Sequence, residues 1–371
     1  MIRVLNIISD SNIGGAGRCV LNFLKYYNRE EFEVKVVVPR GSLLIPEIKK
    51  LDTGVIEADG IAEKSFSKEA VGNLKRIIKT ENPDVVHTHG NLSGRVAAKL
   101  CGKKIIYTRH SVFPVSPKIS KGIGKLANKM INEYLSDDIM AVAQAAKDNL
   151  TDGGISANKV KVILNGVEKV KECTEEENAE TRIKYGINEN DFVVGIMARM
   201  EPYKGHKYLV EAAEILKNKG KNIKVLIIGT GVNETELKAI VKEKALENTV
   251  VFTGFISDIR RMLGVMDLQA NASYGTEATS LALLEGMSLG IPAVVSNYGG
   301  NPGVITNGEN GYIFNLKDSA DMARYIEILM EDKEKYEYMK KRSVEIFEEK
   351  FTAEIYARNI EKIYAGVLGK C

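Results

Sequence analysis

Two carboxylates, Glu277 and Glu285, stand eight residues apart in the run EATSLALLEGMSLGIPAVVSNYGG at residues 277–300. Eight residues is a little over two helical turns. The spacing therefore predicts one apolar helix over 278–288 with both acids on one side, Glu277 at its N-terminal start and Glu285 inside it. Acids on an apolar helix are costly unless hydrogen-bonded. Two carboxylates beside exposed backbone N–H groups suit a polyhydroxylated ligand that carries a phosphate, such as a nucleotide sugar.

Two cations complete this chemistry. Arg199 and Lys204 lie in ARMEPYKGH (198–206), after a strand pattern and before a helical one. An arginine grips a diphosphate through two parallel hydrogen bonds, and a lysine adds a mobile point charge. Most exposed Arg and Lys only solubilise; the position at a strand's carboxyl end marks these two as candidates. Gly229 and Gly231 of IGTG (228–231) can hold a base or phosphate through backbone. A third glycine and a ribose-binding acid are missing there, which argues against a nicotinamide site. Gly14-Gly15-Ala16-Gly17 follows the first strand and opens a helix, where glycines let backbone approach a ligand. A plain strand–helix turn explains them equally well, and the Gly-x-Gly-x-x-Gly spacing is absent.

The four histidines are His87, His89, His110 and His206. The first three close strand patterns. His87 and His89 share a strand face, as a metal half-site would, but no third ligand and no Asp-x-Asp accompanies them, so no metal is expected. His110 can orient or hydrogen-bond a sugar; for His87 a structural role fits as well. His206 is expected to face solvent.

The elements that must position these groups alternate. Strand patterns occur at 4–9, 34–39, 84–89, 104–110, 138–144 and 160–166, with helical stretches between them, including 119–135. A charged stretch, 168–190, reads as a linker plus the start of a second unit. The pattern then restarts, with strands at 192–199, 223–231, 249–255, 268–272 and 293–297 and a helical, charged C-terminus from Ser319. Continuous β-branched runs separated by amphipathic helices define an α/β protein with parallel sheets covered on both faces. Two such domains are expected, with ligand held in a cleft at the carboxyl ends of both sheets.

The composition is that of a globular chain: 371 residues, 44% hydrophobic and 27% charged, with net charge +3. Residues 1–168 hold 25 Lys/Arg against 18 Asp/Glu. That basic excess fits an anionic partner or membrane surface. Lys121, Lys125 and Lys129 recur every four residues, beside a face of Ile119, Ile123, Leu126 and Met130, as on a helix resting on anionic lipid or on an ordinary surface helix. MIRVLNIISD is a strand pattern rather than a secretion signal, and no apolar run is long enough to span a bilayer. The cysteines, Cys19, Cys101, Cys173 and Cys371, are scattered, as in a reduced cytoplasmic setting. Hydrolase elbows, Walker loops and the basic–aromatic faces of nucleic-acid binders are absent.

In this order the motifs resemble the retaining glycosyltransferases of family 4 (glycosyl transferases group 1), over essentially the whole chain. The resemblance rests on Gly14-Gly15-Ala16, NGV at Asn165–Val167, ARMEPYKG, IGTG, TGF at 253–255 and the Glu277…Glu285 motif running into EGMSLGIPAVVS. It implies the GT-B fold, two facing Rossmann-like doubly wound domains. Residues 1–168 would bind acceptor and 169–352 the nucleotide-sugar donor, while 353–371 would cross back as a helix to the first domain. It further implies catalytic roles for His110, Arg199, Lys204 and Glu277. Donor contacts would come from Gly14, Gly15, Arg199, Lys204, Gly229, Glu285 and the backbone of Thr279, Ser280 and Leu281. The activity implied is metal-independent, cofactor-free transfer of a sugar from a nucleoside diphosphate to a saccharide or lipid-linked acceptor. The setting would be cytoplasmic, or peripheral on the inner face of the membrane, with no nucleic-acid partner. Where many members read Glu-Gly-Phe-Gly, this chain reads Glu277-Ala278-Thr279-Ser280, which bears on the sugar accepted. A nucleotide-sugar epimerase or a non-catalytic binding module on the same architecture are the alternatives.

Overall fold

The computed structural model describes residues 1–62 and 66–370, so Cys371 lies outside the described residues. Its contacts divide the chain into two units, Met1–Val167 with the chain from Phe351 onward, and Glu168–Lys350.

In the first unit the β-branched runs become β1 (Ile2–Ile8), β2 (Phe32–Pro39), β3 (Gly54–Ala58), β4 (Val85–His89), β5 (Lys104–Arg109), β6 (Asp138–Ala141) and β7 (Val160–Val162). They form one parallel sheet in the order β3-β2-β1-β4-β5-β6-β7. The order reverses between β1 and β4, and there Ile8 pairs with His89 at the strands' carboxyl ends. Such a switch point leaves a crevice where helices diverge. Leu5, Ile7, Val37, Val86 and Ile105 pack beneath Leu74 and Ile78 of the helix Lys68–Glu81.

The second unit repeats the plan with β8 (Phe192–Met197), β9 (Ile223–Ile228), β10 (Val250–Gly254), β11 (Leu268–Asn271), β12 (Ala293–Ser296) and β13 (Gly311–Phe314). The sheet is again parallel, in the order β10-β9-β8-β11-β12-β13, and its switch point lies between β8 and β11. β9 is buried throughout, and its one charge, Lys224, is satisfied by the Asn248 carbonyl at 2.9 Å.

The C-terminal helix Ala353–Val367 belongs to the first unit, where it buries Tyr356, Ile360 and Tyr364. The NGV motif makes that junction. Val167 N–H donates to the Phe351 carbonyl and Ala353 N–H donates to the Val167 carbonyl. A Cβ on Gly166 would lie 2.2 Å from the Thr352 oxygen, so only glycine fits beside the returning chain.

Two expectations need revision. The helix predicted over 119–135 is two, Pro117–Ser120 and Gly122–Tyr134, because Gly122 takes φ +56° and breaks the run. The helix predicted over 278–288 is only Leu281–Met287. The charged stretch 168–190 holds a helix, Glu175–Lys184, started by a reciprocal cap between Thr174 and Glu177. β3, β13 and the helix Leu44–Lys50 carry no strong periodic signal and were not anticipated.

Candidate active site

The second unit's site starts where β8 ends. The chain passes Arg199, makes a short turn over Pro202–Lys204 and enters the helix His206–Asn218 through Gly205 at φ +73°. A Cβ on Gly205 would sit 2.1 Å from the Ala272 carbonyl oxygen. Glycine thus lets this turn press against the end of β11. The result is a buried ion pair, Lys204 Nζ to Glu277 Oε2 at 2.6 Å, with side chains 16% and 8% exposed. The same oxygen accepts the Ser273 hydroxyl at 2.9 Å and, at the limit of hydrogen bonding, the Asn271 amide at 3.5 Å. Sequence reasoning missed both partners; their signal was only their place at the carboxyl end of β11.

Glu277 is not on the helix that its spacing to Glu285 predicted. It precedes it by four residues, in a loop where Thr276 takes φ +52°. Its carbonyl accepts from Gly300 N–H at 3.1 Å, and a Cβ on Gly299, at φ +58°, would come within 2.0 Å of that oxygen. The glycine pair after β12 therefore fixes the backbone carrying the acid. Glu285 does lie inside the helix and is buried, and Ser280 caps that helix by accepting from Leu283 N–H at 3.4 Å. Gly286 leaves room for the Gln269 side chain.

Arg199 is exposed, its guanidinium 3.4 Å from the Tyr203 hydroxyl. Gly229, at φ +133°, packs beneath this loop; a Cβ there would meet the Ala198 carbonyl at 2.3 Å. Arg199, Lys204, Gly229 and Glu277 are thus joined through one loop system. His206, expected at the surface, is 1% exposed, because it starts the inner face of its helix. Burial, with help from the Lys204 charge, pushes its pKa down to about 4.

The first unit supplies Gly14, Gly15 and the histidines. Gly14 precedes the helix Gly15–Tyr26. A Cβ on Gly15 would meet nothing within 4 Å, so packing in this unit does not require glycine there. His87, His89 and His110 lie in a row, with ring centroids 4.3 and 5.1 Å apart and planes tilted by 37° and 30°. His87 sits between the Tyr364 hydroxyl (2.8 Å) and Thr108 Oγ1 (2.6 Å). His89 Nε2 lies 3.0 Å from Asn6 Oδ1, and His89 Nδ1 lies 2.8 Å from His110 Nε2. With the Asn6 amide turned so that Oδ1 accepts, the proton lies on His89 Nε2. His89 Nδ1 then accepts from His110 Nε2–H, and His110 Nδ1 keeps a free lone pair. Burial lowers the pKa of His87 to about 3 and of His110 to about 4, and holds His89 well below the usual range. All three rings are neutral at pH 7. Tyr364 and Asn6 carried no sequence signal. Among the described residues, no group of three His, Cys, Asp or Glu could hold a metal ion.

On the helix Gly122–Tyr134, Ile123, Leu126, Met130 and Tyr134 are exposed at 58–88%. The Lys125 stem instead lies against Gly154. Among the described residues no helix is long and apolar enough to cross a membrane.

Two parallel α/β units, each with its candidate groups at a switch point, define the GT-B architecture. The family profiles described as "Glycosyltransferase Family 4" and "Glycosyl transferases group 1" match residues 13–170 and 177–345. The chain belongs to this family of glycosyltransferases, which leaves the epimerase and bare-binder alternatives without support. It is 24% identical to the capsular polysaccharide biosynthesis glycosyltransferase CapM of Staphylococcus aureus, over 88% of this chain and 92% of that protein. It is 27% identical to the UDP-Gal:alpha-D-GlcNAc-diphosphoundecaprenol alpha-1,3-galactosyltransferase of Escherichia coli, over 66% of each. Anabaena Alr3699/HepE, solved with UDP, superposes with a TM-score of 0.85 at 21% identity, covering 98% of this chain and 100% of that one.

Proposed function

We propose that this glycosyltransferase moves a sugar from a uridine diphosphate sugar to a saccharide or lipid-linked acceptor in cell-surface polysaccharide or glycan synthesis, with retention and without a metal. One observation carries the reading: a buried ammonium, Lys204, held 2.6 Å from a buried acid, Glu277, one short turn from the exposed guanidinium of Arg199. The bond from anomeric carbon to diphosphate oxygen breaks, and the acceptor oxygen bonds to the same face. The acceptor proton leaves on the departing phosphate. The charge that develops on the diphosphate is met by Arg199 and Lys204, fixed before the reaction begins, which is the work a metal ion does elsewhere. Glu277 accepts from hydroxyls of the donor sugar and Glu285 from those of the ribose. Gly229 and the backbone of Thr279, Ser280 and Leu281 line the nucleotide. In the first unit taken by itself, Gly14 and Gly15 offer backbone to a phosphate and His110 offers a ring nitrogen to a sugar hydroxyl.

Support for the uridine nucleotide comes from the UDP in the Anabaena neighbour, and for the acceptor class from the printed names of the two relatives. The basic first unit and the exposed apolar residues of the helix Gly122–Tyr134 support a cytoplasmic enzyme held peripherally on the inner face of a membrane. The test is kinetic. Arg199→Ala should lower kcat at least ~100-fold with the fold retained, and Lys204→Ala by as much, measured at a temperature where circular dichroism shows the destabilised variant still folded. Near-normal turnover in both would overturn the assignment.

A further inference from the structure

A second set of cations, unused by the chemistry above, lines a cavity of about 430 Å³ in the first unit. It lies past the carboxyl ends of β4 and β5, walled by the helices Leu92–Leu100, Gly122–Tyr134 and Gln144–Asp152. Arg95 and Arg109 both line it, and among the described residues its walls carry no carboxylate.

Arg95 is 6% exposed. Its guanidinium lies 4.2 Å from the Tyr107 ring centroid and donates from Nη1 to Asn132 Oδ1 at 2.7 Å, while Nε is buried with no partner. Burial, and then the charge of Arg109, lower its pKa, although Tyr107 works in the other direction. Among the described residues the acceptors of Arg109 are neutral, the Ser111 carbonyl at 2.9 Å and Asn149 Oδ1 at 3.4 Å. A buried charge is ordinarily paired, because removing it from water costs several kcal/mol that neutral amides repay only in part. Buried Arg95 and half-buried Arg109 thus face one cavity whose walls, among the described residues, supply no counter-charge, a donor set that suits an anion.

Its position names the ligand. Gly90, in the wall, follows His89, and Arg109 precedes His110, so the cavity is lined by the same two chain segments that carry the histidine pair. The remaining wall is mixed: Ser116, Asn128, Asn132 and Asn149 are polar, while Leu92, Phe113, Ile119 and Ile131 form an apolar stretch of which Phe113 and Ile131 are exposed. We propose that this cavity seats an anionic group of the acceptor, a phosphate or diphosphate, gripped by Arg95 and Arg109 with an apolar tail along the adjoining wall. This deepens, and rests on, the transferase reading above; the site itself is testable without it.

The test uses the full chain carrying Arg199→Ala, which removes the exposed donor cation and leaves the buried Lys204–Glu277 pair intact. Thermal shift is followed with inorganic pyrophosphate, with glucose 1-phosphate, and with geranylgeranyl diphosphate in phosphatidylcholine vesicles. The expected result is stabilisation by at least one of the three that weakens at least about tenfold in Arg109→Gln, with circular dichroism showing that variant to be folded. Tighter binding of geranylgeranyl diphosphate than of pyrophosphate identifies a lipid-linked anion; equal binding, or preference for glucose 1-phosphate, identifies a soluble one. Arg95→Met should abolish the shift. If Arg95 only braces Tyr107, that variant loses stability but keeps the anion response, and the proposal fails. It also fails if no probe stabilises the chain or Arg109→Gln responds unchanged. Failure of the donor reading would show separately, as UDP stabilising the Arg199→Ala chain as well as the native one.

Discussion

The Lys204–Glu277 pair admits a quantitative test, because both side chains are nearly out of solvent and an exposed pair would be worth too little to measure. At 2.6 Å the Coulomb attraction at an effective dielectric of about 20 is on the order of 6 kcal/mol, largely offset by desolvation. Removing one partner keeps the desolvation and loses the attraction. Lys204→Met should therefore destabilise the second unit by about 3–5 kcal/mol, leaving Glu277 with only Ser273 and Asn271. Glu277→Gln should cost less, about 2 kcal/mol, since the amide oxygen still accepts from the ammonium. The double variant should fall short of the sum by about 2–3 kcal/mol. The chain has no tryptophan, so urea unfolding is best followed by far-ultraviolet circular dichroism. Additivity of the two changes within about 0.5 kcal/mol would refute a coupled pair.

Other expectations follow from the same geometry. His87, His110 and His206 have folded pKa values of about 3, 4 and 4. The unfolded chain therefore binds more protons below the unperturbed pKa of about 6.5, and stability present above that pH is lost as pH falls toward 4. Each should cost about 2 kcal/mol between pH 7 and 5, seen as a lower urea midpoint; equal midpoints would contradict neutral burial. Gly299→Ala should displace the Glu277 backbone and reduce kcat more than thermal stability, because its Cβ would meet the Glu277 carbonyl at 2.0 Å; parallel losses would mean the glycine serves only the fold. Tyr364→Phe should lower stability by about 1–3 kcal/mol by leaving His87 Nδ1 unpaired, and an unchanged unfolding midpoint would deny that contact weight. Leu126→Asp with Met130→Asp should reduce flotation with anionic liposomes at least about threefold, and undiminished flotation would remove this helix from membrane binding.

The strands that carry the site were legible because buried parallel strands need unbroken apolar runs, and FVVGIM and KVLII admit few other readings. The cations of the ARMEPYKG loop were legible from their place after a strand. The Glu277…Glu285 spacing misled, because an eight-residue interval satisfies a helix whether or not the chain is helical throughout. Thr276 and Gly299, both at positive φ, hold Glu277 in a loop instead. His206 misled in the opposite direction: a polar residue at a helix start reads as exposed, yet the helix turns it inward.

The sequence by itself determined the two strand–helix repeats, the parallel character of both sheets and which loops follow the strands, because these depend on local periodicity and chain order. Only the tertiary structure decided that Ser273 and Asn271 close on Glu277, that Tyr364 reaches back to His87, and that Arg95 and Arg109 share a cavity without a counter-charge. Those pairings join residues on different elements or across a loop of positive φ, and their energies depend on burial and distance, neither of which a linear pattern encodes.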